Sequence, residues 1–291
     1  MIGLTRGKAA LFPHEKEWEN EAAKTIEKLK NICGDGICDI AHVGSTSIKS
    51  IKAKPIIDIA ITVEAFENFL EYCDVLKENG FIYRPDVDAP GQLFFACGPY
   101  YDGSDDKQTH FIHVVKKDSM DWINYNLFRD YLNENESVAK EYEALKTSLA
   151  EKHCDDREKY TAGKHEFITR TLRTALVKYY LGKTVTVEID RPIGTPHPKH
   201  PEIIYPINYG YIPNVFGGDG EELDVYILGI DERIEEGDRT TVKIIGIVYR
   251  QNDVEDKLVA APEETEYTPE EIEQIIHFQE QYYNSHVEMT K

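Results

Sequence analysis

At "YYLGKT", Tyr179 to Thr184, the hydrophobic pattern of this chain changes from mixed helices and strands to short alternating strands, which places a domain boundary there. Upstream the two patterns are mixed. Trp18, Ala22, Ile26 and Leu29 fall three or four residues apart and predict a helix from Glu15 to about Ile32. "KPIIDIAITV" (Lys54 to Val63), "FFAC" (Phe94 to Cys97) and "THFIHVV" (Thr109 to Val115) read as strands, and helical stretches follow over about 120–132, 138–153 and 159–181. Downstream, "KTVTVEI" alternates with period two, and short strands between Pro and Gly turns continue to about Ala260. A further helix begins at "TPEE", where Thr268 is the cap, Pro follows at the first helical position and Glu comes three residues after the cap. A length of 291 residues suits two domains, placed at 1–180 and 181–291, the first α+β and the second mainly β.

The net charge of −20 is not evenly spread. From Leu181 to Lys291 there are 23 acids against 9 Lys and Arg. This acid excess argues against a nucleic-acid backbone or an anionic membrane as partner, and implies that any phosphate substrate arrives with metal cations. No run of eighteen apolar residues predicts a membrane span, and the first residues lack the apolar core of a signal peptide. The five cysteines (Cys33, Cys38, Cys73, Cys97, Cys154) show no zinc-like pairing and read as reduced thiols of a cytoplasmic protein.

"GGDGEELDVYILG", Gly217 to Gly229, crowds Asp219, Glu221 and Asp224 beside a glycine turn that enters an apolar strand. Asp-Gly is also a common hairpin turn, so the stretch alone is either a solvated turn or a divalent-metal site. Magnesium takes hard oxygen ligands and keeps several waters, so carboxylates on a tight loop suit it. Just upstream, "YPINYGYIP" places Tyr205, Tyr209 and Tyr211 close together. Their phenols either pack a barrel core or donate to phosphate oxygens without adding charge. "DVEDKLVAAP", Asp253 to Pro262, brings further acids and one lysine to the start of a strand.

In this order the three motifs resemble the soluble inorganic pyrophosphatase family over roughly Lys183 to Tyr283. The resemblance implies an OB-like five-stranded barrel with a flanking helix, magnesium-dependent hydrolysis of pyrophosphate, and frequent assembly into homo-oligomers. It also implies that Asp219 and Asp224 bind metal and that Glu221 helps activate the attacking water. Glu255, with Asp256 as its substitute, falls where a metal-binding Asp is expected. Tyr205, Tyr209 and Tyr282 match phosphate-site tyrosines, Lys257 a phosphate-binding lysine, and Glu188 an acid at the start of the barrel. The segment from Glu188 to Tyr205 is shorter than usual and lacks a Lys and an Arg of the phosphate site. Lys199, Arg191 and His200 are the candidates to replace them, and Asp253 is the candidate for a further metal-binding acid. Tyr283 stands where a lysine is expected, so a pocket with less positive charge than usual is predicted.

In the first half, "HVGSTSIKSIKAKPIIDIAI" starts at His42 and leads a Gly-Ser turn into a strand bearing Asp58, the skeleton of a nucleotidyltransferase site. Gly44 and Ser45 would hold a nucleotide phosphate and Asp58 a magnesium ion. Lys54 either neutralises a phosphate or pairs with an acid. A second acid is expected two residues on, where Ala60 stands. His110 and His113 could share a softer metal, but on an alternating strand i and i+3 face opposite sides. The stretch, with "THFIHVV" and "FRDYLNENESVAKEYEALKTSLAEKHCDDREKYTAGKHEFI" (Phe128 to Ile168), resembles the GrpB family, a nucleotidyltransferase-like group. Gln92 stands where many of its members carry an Arg. The two resemblances together imply a bifunctional, nucleotide-handling, magnesium-dependent hydrolase acting on a small phosphate or nucleotide. The alternative is a non-catalytic module that binds such a ligand.

Overall fold

The computed structural model describes residues 1–5, 8, 10–87, 89–98, 107–154, 156–217 and 220–290. It divides into two compact units, Met1–Ile168 and Thr169–Lys291. The packing boundary falls inside a helix, ahead of the change of hydrophobic period. Among the described residues no helix is long and apolar enough to cross a membrane.

The first unit is α+β. Its strands are β1 (Leu4–Thr5), β2 (Asp39–Val43), β3 (Ile57–Val63), β4 (Ile82–Tyr83), β5 (Gln92–Cys97), β6 (Lys107–Gln108) and β7 (His110–Lys116). Five of them form a sheet in the order β2-β3-β7-β5-β4, in which only the β3–β7 pair is parallel. Helix α1 (Lys16–Cys33) buries Trp18, Ala22 and Leu29 against this sheet, with Ile57, Ile59, Ile61, Phe95 and Val114. Helices α2 (Phe66–Leu70) and α3 (Cys73–Glu78) follow β3. Every residue of β3 except Asp58 is buried, so the strand is a continuous apolar run interrupted by one acid.

Helices α4 (Met120–Glu134), α5 (Glu136–Lys152) and α6 (Arg157–Ala162) come next, and α7 (His165–Tyr180) runs across the unit boundary. The expected helix over 159–181 is therefore two helices, broken at Gly163. Helix α5 carries Lys146, which is only 1% exposed. Its ammonium donates to the Lys52 carbonyl at 2.7 Å and lies 4.6 Å from the Tyr142 ring centroid. Burial, with the charges of Lys164 and Lys54, pushes its pKa down to about 7. Between about pH 7 and 10.5 the unfolded chain holds a proton that the folded chain has released, so this residue makes stability rise with pH. Urea unfolding followed by tryptophan fluorescence should show the first unit gaining roughly 2 kcal/mol from pH 7 to 9 relative to Lys146→Met. Equal pH slopes in the two proteins would show that Lys146 is not the titrating group.

The second unit is a closed barrel. β8 (Thr184–Arg191), β9 (Asn208–Phe216), β10 (Glu222–Ile227), β11 (Arg239–Arg250) and β12 (Lys257–Ala261) pair in the cycle β8-β9-β10-β12-β11 and back to β8. Strand β13 (Ser285–Met289) adds to the far end of the long β11. Closure leaves the five strands no open edge. β8 and β9 approach so closely at Gly210 that a Cβ there would lie 2.9 Å from the Glu188 carbonyl carbon. Helix α8 (Pro269–Glu280) begins with the expected capping box, in which Thr268 Oγ1 accepts from Glu271 N and Glu271 Oε2 accepts from Thr268 N. It packs Ile272 and Ile276 onto Tyr205, Tyr209 and Tyr226. This is an OB-like barrel with a flanking helix.

Candidate active site

The register of the barrel assembles the acidic cluster. β10 and β12 are parallel, with Val225 beside Leu258, so the preceding residues, Asp224 and Lys257, also lie side by side. Lys257 Nζ donates to Asp224 Oδ2, to Glu255 Oε2 at 2.8 Å and to the Tyr209 hydroxyl at 2.8 Å. The Lys257 and Glu255 side chains are 4% and 8% exposed, whereas Asp224, at 24%, faces the opening. Burial works against the charge on Lys257, but Asp224 and Glu255 outweigh it and hold its pKa above the ordinary lysine value. Burial, then the charge of Asp224, drives the Tyr209 pKa well up, so the phenol keeps its proton and remains a donor. Burial likewise raises Tyr205 to about 12.

These groups floor a cavity of about 550 Å³. Glu221, expected beside the metal, lines it and is exposed, as is Lys199. Arg191 lines it while paired with Asp190. Tyr205 and Asp253 line it as well. Asp219 lies outside the described residues. Of the candidates to replace the lost cations, His200 is exposed and pairs with Glu202 at 3.3 Å, away from the cavity. His197 lines it instead, its ring stacked on Tyr205 at 6.2 Å.

Two expected site residues are corrected. Asp256 does not substitute for Glu255. Period-two alternation points it to the other side of the chain, where both carboxylate oxygens are held by Arg173 and one also accepts from Arg250 N at 3.1 Å. Tyr282 is 60% exposed and outside the cavity, and its neighbour Tyr283 lines it. Glu188 is likewise engaged elsewhere, accepting from the Tyr211 hydroxyl at 2.6 Å and from Arg239 at 2.8 and 2.9 Å.

The sequence reading missed Arg250. It is buried at the end of β11 and lines the cavity. Its guanidinium donates to Glu280 and to Asp253 Oδ2 at 2.9 Å, and lies 3.6 Å over the Tyr283 ring. The cavity is thus lined by Arg191, Lys199, Arg250 and Lys257, and Arg250, itself paired with Glu280 and Asp253, is the cation that the expected set lacked.

In the first unit, β2 and β3 pair Val43 with Asp58 and bring the following Gly44 against the acid. Gly44 has φ of +68°, and a Cβ there would lie 2.8 Å from Asp58 Cβ, so both backbone and space require glycine. Asp58 Oδ1 sits 3.3 Å from His113 Nε2. His110 faces the opposite side of the sheet, with Nε2 3.1 Å from Thr25 Oγ1, so the two histidines share no metal. His42 is 3.0 Å from Thr46 Oγ1, and burial pushes its pKa down to about 4, which keeps it neutral. Lys54 lies 4.0 Å over the Tyr160 ring. Gln92 accepts from the Tyr125 hydroxyl at 3.1 Å. Among the described residues no three His, Cys, Asp or Glu side chains in either unit already converge on one metal position.

Comparison with known proteins accounts for both halves. Residues 8–174 match the family model "GrpB protein", and residues 164–288 match "Inorganic pyrophosphatase". The Glutamate-rich protein GrpB of Alkalihalophilus pseudofirmus is 38% identical over 173 residues, which is 59% of this chain and 98% of that protein. The UPF0157 protein YqkA of Bacillus subtilis is 34% identical over 161 residues, 55% of this chain and 45% of that protein. The crystal structure of GrpB from Enterococcus faecalis, 30% identical, superposes on 59% of this chain and 99% of its own with a TM-score of 0.54. The chain belongs to the GrpB family, and its GrpB domain is followed by an inorganic pyrophosphatase-like domain.

Proposed function

We propose that the second unit hydrolyses pyrophosphate or a related phosphoanhydride with magnesium, and that the first binds a nucleotide or nucleotide-like phosphate, in the cytoplasm. The observation that carries this reading is the ammonium of Lys257, buried among Asp224, Glu255 and Tyr209 at the floor of a cavity lined by both acids and cations. The donor set fits magnesium. It is all oxygen, and the negative charge of Asp224 and Glu255 already attracts one cation from the protein. Asp224, Glu255 and Asp253 would hold the ion, together with Asp219. When bound it would supply charge neutralisation on the phosphate oxygens and make a nearby water more acidic.

The chain's own groups account for the rest. Arg191 and Lys199 at the cavity wall bind the outer phosphoryl group. Lys257 turns from Asp224 to a phosphate oxygen and, with the Tyr209 and Tyr205 phenols, donates to oxygens whose charge grows as the bridging bond breaks. Glu221, exposed at the cavity, accepts the proton of the attacking water. The new phosphorus–oxygen bond forms as the bridging oxygen leaves with phosphate, which takes up a solvent proton. The test is phosphate release from pyrophosphate by the full chain at saturating magnesium. No release from pyrophosphate or from nucleotides would leave the second reading, a phosphate-binding module.

In the first unit, Gly44, Ser45 and Lys54 are assigned to the nucleotide phosphates, with Asp58 beside them. Asp58→Ala is expected to weaken binding of a magnesium nucleoside triphosphate about tenfold or more, read by calorimetry across a nucleotide panel. Unchanged binding, or none in the wild type, sinks the assignment.

A further inference from the structure

The segment joining β11 to β12, residues 251–256, delivers Asp253 and Glu255 to the cavity, and it has no regular secondary structure of its own. From outside the cavity one side chain holds it at several points. Arg173, on α7, donates from Nε to Asp256 Oδ2 at 2.8 Å and from Nη2 to Asp256 Oδ1. Nη1 donates to the Asp253 carbonyl at 2.6 Å, and Nη2 donates also to the Arg250 carbonyl at 3.1 Å. One guanidinium thus grips the start, middle and end of the segment. It does so with little access to solvent, the Arg173 and Asp256 side chains being 18% and 4% exposed. Asn284 pins the other side, its carbonyl accepting from Gln251 N at 2.9 Å and its own N donating to Asn252 Oδ1 at 2.8 Å.

The grip acts on the cavity through two short paths. The carbonyl held at 2.6 Å belongs to Asp253, whose carboxylate takes a hydrogen bond from Arg250 at 2.9 Å inside the cavity. The Asp256 carboxylate is anchored on the far side, while its two neighbours, Glu255 and Lys257, both line the cavity. The grip fixes the backbone from which Asp253 reaches Arg250 and Glu255 reaches Lys257. A planar fork that meets a carboxylate with two parallel bonds and still reaches two carbonyls is available to arginine and not to lysine.

We propose that Arg173 is a positioning residue for the cavity: it holds residues 250–256 so that Asp253 and Glu255 present their carboxylates to a divalent cation. The inference rests on the magnesium-phosphate reading of the cavity. It also makes α7 part of the second unit's chemistry. Residue 173 falls inside both matched segments, 8–174 and 164–288. A chain starting at Leu181 would lack the grip.

The test uses the full chain with three readouts: Mn²⁺ binding by calorimetry without substrate, pyrophosphate hydrolysis against Mg²⁺ concentration, and thermal melting. Arg173→Met is expected to weaken Mn²⁺ binding about tenfold and raise the half-saturating Mg²⁺ by a similar factor, with kcat at saturating Mg²⁺ changed only a few-fold. Arg173→Lys keeps the charge and the aliphatic stem but loses the fork. It is expected to melt close to the wild type while still requiring several-fold more Mg²⁺. A purely structural role would shift melting and leave the metal affinity of the folded fraction intact, and that result overturns the proposal, as does wild-type behaviour of Arg173→Lys. A wild type that binds no Mn²⁺ and releases no phosphate sinks the reading of the cavity and this inference with it. An active wild type whose metal affinity Arg173→Met and Arg173→Lys both match sinks the inference alone.

Discussion

Replacing Lys257 by methionine is expected to lower the unfolding free energy of the second unit by about 3–5 kcal/mol in metal-free buffer. The variant leaves the Asp224 and Glu255 carboxylates, the latter 8% exposed, without the ammonium between them, and the Tyr209 hydroxyl loses the bond it accepts from it. Breaking a buried ion pair from one side leaves the other charge without its counterion, and here two carboxylates lose the same ammonium. Magnesium should then stabilise the variant more than the wild type, because an added cation replaces the missing ammonium. Circular dichroism melts with EDTA and with Mg²⁺ measure both effects. Trp18 and Trp122, the two tryptophans, lie in the first unit, and their fluorescence reports whether that unit is unaffected. An unperturbed second transition would mean that water satisfies the two carboxylates. In the wild type, the cluster holds the Lys257 pKa above its unfolded value of 10.5. Its stabilisation is therefore complete below about pH 10.5 and disappears only as pH rises through the folded pKa.

Asp224→Asn is expected to reduce phosphate release from magnesium pyrophosphate by about a hundredfold or more, a loss of the size seen when one positioned charge or donor is removed from a reacting phosphoryl or acyl centre. The shape is kept and a single charge removed. Lys257 retains Glu255 and Tyr209, so the melting temperature should hold. Tyr282→Ala serves as the contrast: the ring is 60% exposed and off the cavity, and turnover should stay within about twofold. If Asp224→Asn turns over like the wild type, the acids of this strand do not handle the substrate. If Tyr282→Ala fails as badly, the placement of the cavity wall is wrong.

Asp58 and His113 show what the sequence made legible. Period-two spacing alone separates His110 from His113, and the structure puts one against Thr25 and the other against Asp58. The same rule, applied to "VEDK", places Glu255 with Lys257 and sends Asp256 to the opposite side. The order of motifs alone does not distinguish the two acids. Tyr282 and Tyr283 differ by one residue just past the end of α8, where a turn sets their direction, and no periodicity reaches that far. Arg250 was invisible for another reason. At the end of "KIIGIVYR" it reads as the polar stop of a strand. Its place in the cavity comes from Glu280, Asp253 and Tyr283, which meet it only in the folded barrel. A lone arginine closing an apolar strand, with acids a few residues on, is the faint signal that was available.

The parallel pairing of β10 with β12 also ties this chemistry to the order of folding. A parallel pair cannot be zipped from a hairpin; its second strand arrives only after an intervening strand has crossed over. Lys257 must therefore find Asp224 across 33 residues and Tyr209 across 48. Both searches end at the same moment, when the cycle of strands shuts. Contacts of such separation form late and slowly, after local turns and the capped α8 are in place. A nascent or partly refolded second unit would then carry much of its secondary structure without the contacts of Lys257 to Asp224 and Tyr209, and recovery of phosphate release would time the docking of β12 on β10.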